Sequence, residues 1–238
     1  AYGTNSLYSN TTADNNTAVG RAALFANIAA YNTGVGDLAL YANTTGASNT
    51  AVGRNSLATN TTGSQNTAVG ALALDAGTTH IENTAVGYQA LSATTGSYNT
   101  AVGKNAMVNN STGGLNVAMG VNAMANVTTA NHNVAIGANT SNQNVTGSHN
   151  TAVGSYTLQA NTVGYNTAIG AYALNLTTTG QNNTGLGYYA LYANTTGGGN
   201  TAIGRYSLYS NTTASTNTAV GYNSLFANTT GSQNTAVG

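Results

Sequence analysis

The sequence predicts an all-β fold, a parallel β-solenoid or β-roll of about fourteen 17-residue coils, and three features carry that expectation. A glycine closes a recurring phrase, as in Asn16-Thr17-Ala18-Val19-Gly20, and returns at Gly36, Gly53, Gly70 and onward to Gly238. The spacing is 17 residues except for three intervals of 16, and nothing lies between the units. A period of this size marks stacked supersecondary units. The third feature is what the units are made of. Of 238 residues, 37 are Asn, 41 are Thr and 30 are Gly, with no Pro to interrupt backbone ladders.

Numbering the unit 1 to 17, with the glycine last, allows each element to be justified in turn. Apolar residues do not recur at helical intervals, and Gly and Asn interrupt every unit, so a helix is excluded. Two short strands and two turns per coil are expected: one strand at Thr-Ala-Val and one around Ser/Ala-Leu, each bounded by Gly and Asn turn signals. Position 4 is Leu or Met in all units but one, where Ser141 stands, and position 16 is Val, Ile, Met or Leu throughout. Both are expected to point inward, with Thr at position 14 and Ala at position 15 forming tight shoulders. The Ser141 coil is expected to be a local weak point. The closing glycine is expected where φ is positive or backbones approach closely.

Position 13 is Asn in every unit: Asn16, Asn32, Asn49, Asn66, Asn83, Asn99, Asn116, Asn133, Asn150, Asn166, Asn183, Asn200, Asn217 and Asn234. These residues are expected to stack as a structural amide ladder that closes a turn and bonds to the next coil. At about 4.8 Å per coil the stack reaches a length on the order of 65 Å. Each coil offers only about two large apolar side chains, so a lone narrow roll is marginal. Lateral association is expected to supply the missing burial, with a trimer sharing a seam as the natural arrangement. Residues 1–238 form one continuous β-roll repeat domain on this reading, a segment of a longer fibre or a subunit that stacks end to end into a filament.

The irregularities are patterned. Each of the three short units places Tyr just before the ladder Asn, at Tyr31, Tyr98 and Tyr165, where a ring is expected to cover the groove left by a shorter turn. All four basic residues, Arg21, Arg54, Lys104 and Arg205, occupy position 1, which reads as a solvated rim. Tyr156, Tyr172, Tyr189 and Tyr206 occupy position 2 in consecutive coils. Such a stack covers backbone and is a candidate surface-binding site for a neighbour or a sugar ring. Asn-x-Ser/Thr sequons at Asn10, Asn43, Asn60, Asn110, Asn126, Asn194, Asn211 and Asn228 fall at one turn and are glycan acceptors where the producing cell uses such sites.

Several function classes are excluded or left without support. Four positive charges cannot neutralise a phosphate backbone, so nucleic acid is not an expected partner. No stretch of 18 apolar residues exists, so no membrane insertion is expected in this segment. The chain has no Cys, which removes disulfide and thiolate chemistry. Asp14, Asp37, Asp75 and Glu82 stand at different unit positions and suggest no paired-carboxylate site. His132 and His149 fall in adjacent coils and His80 stands apart, without the repeated partners a metal needs. No cofactor, metal site or enzymatic activity is expected.

The Asn-Thr-Ala-Val-Gly and Asn-Thr-Ala-Ile-Gly phrases resemble the head repeats of trimeric autotransporter adhesins, the YadA-like left-handed parallel β-roll. The longer unit, with Ala/Ser-Leu and Asn-Thr-Thr-Gly, resembles repeats in bacterial and phage tail-fibre-like proteins. The resemblance spans the whole chain. It implies a homotrimer on a cell or virion surface, with the family's inward apolar positions at Val19, Val52, Val69, Val86 and their copies. The function expected is a structural extracellular fibre or filament subunit with surface adhesion, its partners being copies of itself and a surface glycan or host-surface ligand. The alternatives are an ice-binding solenoid, motivated by the Thr rank at position 14, and a carbohydrate-binding one. Val117, Val134, Gly34 and Gly185 count as interruptions of the Thr rank on this reading.

Overall fold

The computed structural model describes residues 1–238 as two compact units, Ala1–Asn116 and Val117–Gly238. The first holds β1 (Thr17–Val19), β2 (Thr33–Val35), β3 (Thr50–Val52), β4 (Thr67–Val69), β5 (Thr84–Val86) and β6 (Thr100–Val102). The second holds β7 (Val117–Met119), β8 (Val134–Ile136), β9 (Thr151–Val153), β10 (Thr167–Ile169), β11 (Thr184–Leu186), β12 (Thr201–Ile203), β13 (Thr218–Val220) and β14 (Thr235–Val237). Each unit is a parallel β-solenoid with one three-residue strand per coil. Pairing is in register: Thr50 faces Thr67 and Val52 faces Val69, and in the second unit Thr201 faces Thr218 and Ile203 faces Val220. Like stacks on like because the repeat length equals the coil length.

The strand reads outside–inside–outside, and this corrects two expectations. Ala51, the central residue of β3, is fully buried, while Val52 is 37% exposed and Val19 is 40% exposed. Val69 is likewise exposed and Val86 is half-buried. The position-16 residues therefore form an outer rank, and Ala is the inward residue, not a shoulder. The reason is room. A Cβ built on Gly34, the glycine at this inward place in β2, comes within 3.1 Å of Leu24 Cγ and 3.2 Å of the Ala39 carbonyl oxygen. Nothing larger than Ala fits between the strand and the leucine stack. Alternation along a strand then sends both flanking residues outward.

The segment around Leu is not a second strand. Positions 2 and 4 take left-handed backbone angles in every coil, as at Asn55 (φ 55°) and Leu57 (φ 49°). The left-handed state costs a non-glycine residue about 1–2 kcal/mol. The return is coil-to-coil bonding without extension: the Asn55 N–H donates to the Asp37 carbonyl at 2.9 Å and the Leu57 N–H to the Ala73 carbonyl at 3.0 Å. The Leu side chain is also carried to full burial, as at Leu24, Leu57 and Leu191. Position 12 is left-handed as well, whatever residue stands there.

The closing glycine is demanded on both counts. Gly53 has φ +135°, and a Cβ on it would lie 2.6 Å from the carbonyl carbon of Gly70 in the next coil. The apolar interior is accordingly thin, built of Leu or Met at position 4 and small residues at positions 3 and 15. The other half of the interior is filled with amides.

Candidate functional site

Two amide ladders run inside each unit. At position 13, Asn49 Oδ1 accepts from the Asn66 N–H at 3.0 Å, and Asn49 Nδ2 donates to the Gly63 carbonyl at 2.8 Å. Both bonds reach the following coil. The arrangement recurs from Asn16 to Asn116 in the first unit, through backbone N–H bonds at Asn32, Asn83 and Asn99. In the second unit it runs from Asn133 through Asn150, Asn166, Asn183, Asn200 and Asn217 to Asn234. Apart from Asn16 and Asn234, these side chains are buried. A buried amide is tolerated when its donors and acceptors are used: the Oδ1 of Asn16 through Asn99 and of Asn133 through Asn217 is consumed by its own copy one coil on, while Asn217 Nδ2, near the chain end, is left without a partner.

The second ladder lies at the turn whose Asn residues read as sequons in the sequence. At position 7, Asn60 Nδ2 donates to Asn43 Oδ1 at 2.7 Å and to the Gly63 carbonyl at 2.9 Å. Asn211 does the same with Asn194 and Ala214. The turn residues read as sequons are therefore interior: Asn43, Asn60, Asn110, Asn194 and Asn211 are fully buried and cannot accept a glycan in the folded chain. Asn126 is exposed but stands one place earlier, with Val127 buried at position 7. The signal in the sequence is Asn at position 7 with Gly or Ala at position 10, three residues apart, which is the reach of that side chain back to its own turn.

Four coils lack the position-7 Asn, with Gly77, Thr94, Val127 and Thr177 in its place, and one of them exchanges the pair. Gly77 stands at position 7 and His80 at position 10. His80 is buried, and its ring fills the place of the missing amide, since a Cβ on Gly77 would lie 1.9 Å from His80 Cδ2. Its Nδ1 sits 3.3 Å from Asn66 Oδ1. His80 Nε2 and Asn60 Oδ1, both buried, have no hydrogen-bond partner. Burial holds the imidazole pKa below its ordinary 6.5.

The surface of the second unit carries an aromatic cluster. Tyr156, Tyr172, Tyr189 and Tyr206 form a stack with centroid separations of 5.2, 4.9 and 5.7 Å. Tyr192, Tyr209 and Phe226 form a second stack at position 5, at 5.4 and 5.1 Å, and Tyr188 packs edge-on against Tyr189. The Arg205 guanidinium lies 4.7 Å from the Tyr206 ring centre and within 6 Å of Tyr188 and Tyr222. The hydrogen bond with the Tyr188 hydroxyl is the main cause that pushes the Tyr189 hydroxyl up to about 12. The ring faces of Tyr172 and Tyr189 are turned to their neighbours, so the four-tyrosine stack does not offer an open row of faces to a sugar.

Position 12 carries a smaller stack, His132 on His149 at 4.9 Å and His149 on Tyr165 at 5.2 Å. The tyrosines of the short units do not cover a groove: Tyr31 is 64% exposed and Tyr165 is 60% exposed, because the left-handed position 12 turns its side chain outward. The shortening is absorbed instead between positions 7 and 10, where Asn27 Nδ2 reaches the carbonyl of Ala29, two residues on, at 2.7 Å. Arg21, Arg54, Lys104 and Arg205 are exposed, and Arg21 pairs with Asp37 at 2.8 Å.

No protein-family model and no curated protein matches the chain. Fold and ladders define its class, a parallel β-solenoid repeat protein.

Proposed function

We propose that the chain is a structural extracellular repeat segment, a fibre or filament part that associates with copies of itself and contributes to surface adhesion, and not an enzyme. One observation carries the reading: what recurs in every coil is packing and coil-to-coil bonding. The chemistry-bearing residues are the exceptions to the repeat, not part of it. The four carboxylates stand at four different coil positions, and one of them, Asp37, is held by Arg21. The resemblance to YadA-like head repeats and tail-fibre repeats points the same way and suggests a homotrimer at a cell or virion surface. The outward Met119, Ile136, Leu186 and Ile203 of the second unit's position-16 rank and the tyrosine cluster supply apolar area for lateral contact. A surface glycan or host-surface component is the proposed adhesion partner.

Light scattering on the purified chain tests the association. The expected mass is three times 23.7 kDa or a larger multiple, and a monomer mass at every concentration removes the self-association. Immunogold labelling of the intact source particle or cell tests the placement: label on the outside is expected, and label confined to the interior overturns it.

A further inference from the structure

The outer sheet faces of the two units differ. In the first unit, β1 to β6 present Thr17, Thr33, Thr50, Thr67, Thr84 and Thr100 in one rank. The parallel rank is Val at every place, from Val19 to Val102. In the second unit the first rank begins with Val117 and Val134 and continues as Thr from Thr151 to Thr235, so the units differ chiefly in the other rank, which mixes Met119, Ile136, Ile169, Leu186 and Ile203 with Val. Gly34 and Gly185, the apparent interruptions, stand at the inward place and leave the outer ranks intact.

The position-14 threonine hydroxyls are uncommitted in both units, and in the first they lie beside an unbroken Val rank. Elsewhere a Thr hydroxyl is used inside the fold: at position 8, Thr44, Thr61 and Thr95 each donate to the following coil, to the carbonyls of Thr61, Thr78 and Ser111, at 2.8–3.0 Å. Those of the position-14 rank make no bond within the protein and are exposed or half-buried. Their neighbours in the other rank are methyl-bearing and uncharged. Parallel pairing fixes the hydroxyls about 4.8 Å apart from coil to coil, with the valine rank about 6.6 Å away along the strand. A rigid, uncharged two-dimensional lattice of hydroxyls and methyl groups suits a partner that is itself a lattice of hydrogen-bonding oxygens at such spacings.

We infer that the outer sheet face of Ala1–Asn116 binds crystalline water, an ice surface, with the Thr hydroxyls joining the oxygen lattice and the Val methyl groups seated between its rows. A soluble sugar or peptide would gain from a concave, individually shaped site, and this face is a repeat of one element. The inference goes beyond the structural role and does not depend on association between copies.

The test is thermal hysteresis and ice-crystal shaping by the full chain, with melting temperature and mass measured on the same samples. Wild-type protein is expected to shape ice and show hysteresis. Thr67→Tyr, at the middle of the rank, is expected to lose most of it at an unchanged melting temperature, while Thr218→Tyr in the second unit keeps it. If Thr67→Tyr melts early, Thr67→Val is read in its place; it keeps the shape, removes the hydroxyl and is expected to lose part of the activity. Absence of hysteresis in folded wild-type protein overturns the inference and leaves the structural reading standing. Retention of full activity in Thr67→Tyr, or equal loss in Thr218→Tyr, also overturns it. So does a fall in mass on Thr67→Tyr without hysteresis in the wild type, which would make the face a contact between copies.

Discussion

The exchanged pair at Gly77 and His80 offers a sharp test of the amide-ladder account. The double substitution Gly77→Asn with His80→Gly restores at this coil the arrangement seen one coil earlier, where Asn60 Nδ2 bonds both Asn43 Oδ1 and the Gly63 carbonyl. It gives the orphaned Asn60 Oδ1 a donor and removes the orphaned His80 Nε2. An unsatisfied buried polar atom costs about 1–3 kcal/mol and a restored hydrogen bond contributes about 1 kcal/mol net. The backbone terms nearly cancel, because one glycine is lost and one is gained. The double variant is therefore expected to be more stable than wild type by about 2 kcal/mol.

Each single change should do the reverse. Gly77→Asn drives a side chain into the imidazole, for an overpacking cost of about 1–3 kcal/mol. His80→Gly empties the site, and large-to-small core changes cost about 2–5 kcal/mol. The coupling between them then reaches or exceeds about 3 kcal/mol, the upper end for residues sharing one site. Urea unfolding of the four proteins reads the cycle. The pH dependence supplies a second readout. Burial lowers the folded-state pKa of His80 below 6.5, so the unfolded chain takes up a proton that the folded chain refuses. Stability is full above pH 6.5 and is lost as pH falls from there toward the lowered value. The double variant should lack that loss. Asp75, whose pKa burial raises from 3.8, contributes equally to both proteins and drops out of the difference. Additive single effects, or an unchanged acid profile in the double variant, would refute the ladder account.

Four further outcomes are expected. Gly53→Ala should destabilise the first unit by about 3 kcal/mol in urea, through a φ that only glycine adopts readily and overlap with Gly70; a loss under half of that would mean the coils can part there. Ser141→Leu should raise the thermal stability of the second unit by about 1–2 kcal/mol by continuing the stack between Met124 and Leu158. Alkaline absorbance titration should show one late tyrosine near 12, and Tyr188→Phe should move it back toward 10; the stability linked to Tyr189 is present below pH 10 and is lost as pH rises through its folded value. Asp37→Arg places a guanidinium between Arg21 and Arg54 in the position-1 column and should cost about 1 kcal/mol at low ionic strength, recovered with salt; replacing Asp37 by Asn should cost less, because the pair is exposed.

The period, the parallel in-register stack and the glycine requirement were legible because each depends on a residue type recurring at a fixed place. The facing of the strand is not legible from hydrophobicity. In a coil this narrow the mark of the interior is size. Ala or Gly never yields position 15 to anything larger, whereas position 16 accepts Val, Ile, Leu and Met because solvent does not limit their volume. The Leu segment differs from the expected strand since nothing in a Leu or Tyr announces a left-handed angle; the coil imposes it through bonds to its neighbours. The second amide ladder was hidden behind the frequency of Asn and Thr, which makes a sequon of any Asn-Thr-Thr.

In-register stacking also explains which exceptions the chain tolerates. Every substitution meets its neighbours in the coils on either side at about 4.8 Å, so a side chain is acceptable according to what stands one coil away. In the position-1 column charge meets an opposite or aromatic neighbour: Arg21 and Arg54 flank Asp37, and Arg205 lies between Tyr188 and Tyr222. Aromatic residues survive in runs, because a ring stacked on a ring covers both, as from Tyr156 to Tyr206 and from Tyr8 through Phe25 to Tyr41. A buried imidazole survives where the turn beneath it has surrendered its own amide, as His80 does over Gly77. The scarcity of charge thus follows from stacking. The outer ranks of the first unit are uniform for a different reason, since the second unit shows that the same strand positions accept Val, Met, Ile and Leu without loss of pairing. Packing does not require six Thr-x-Val strands in succession, so their uniformity is a property of the surface they make.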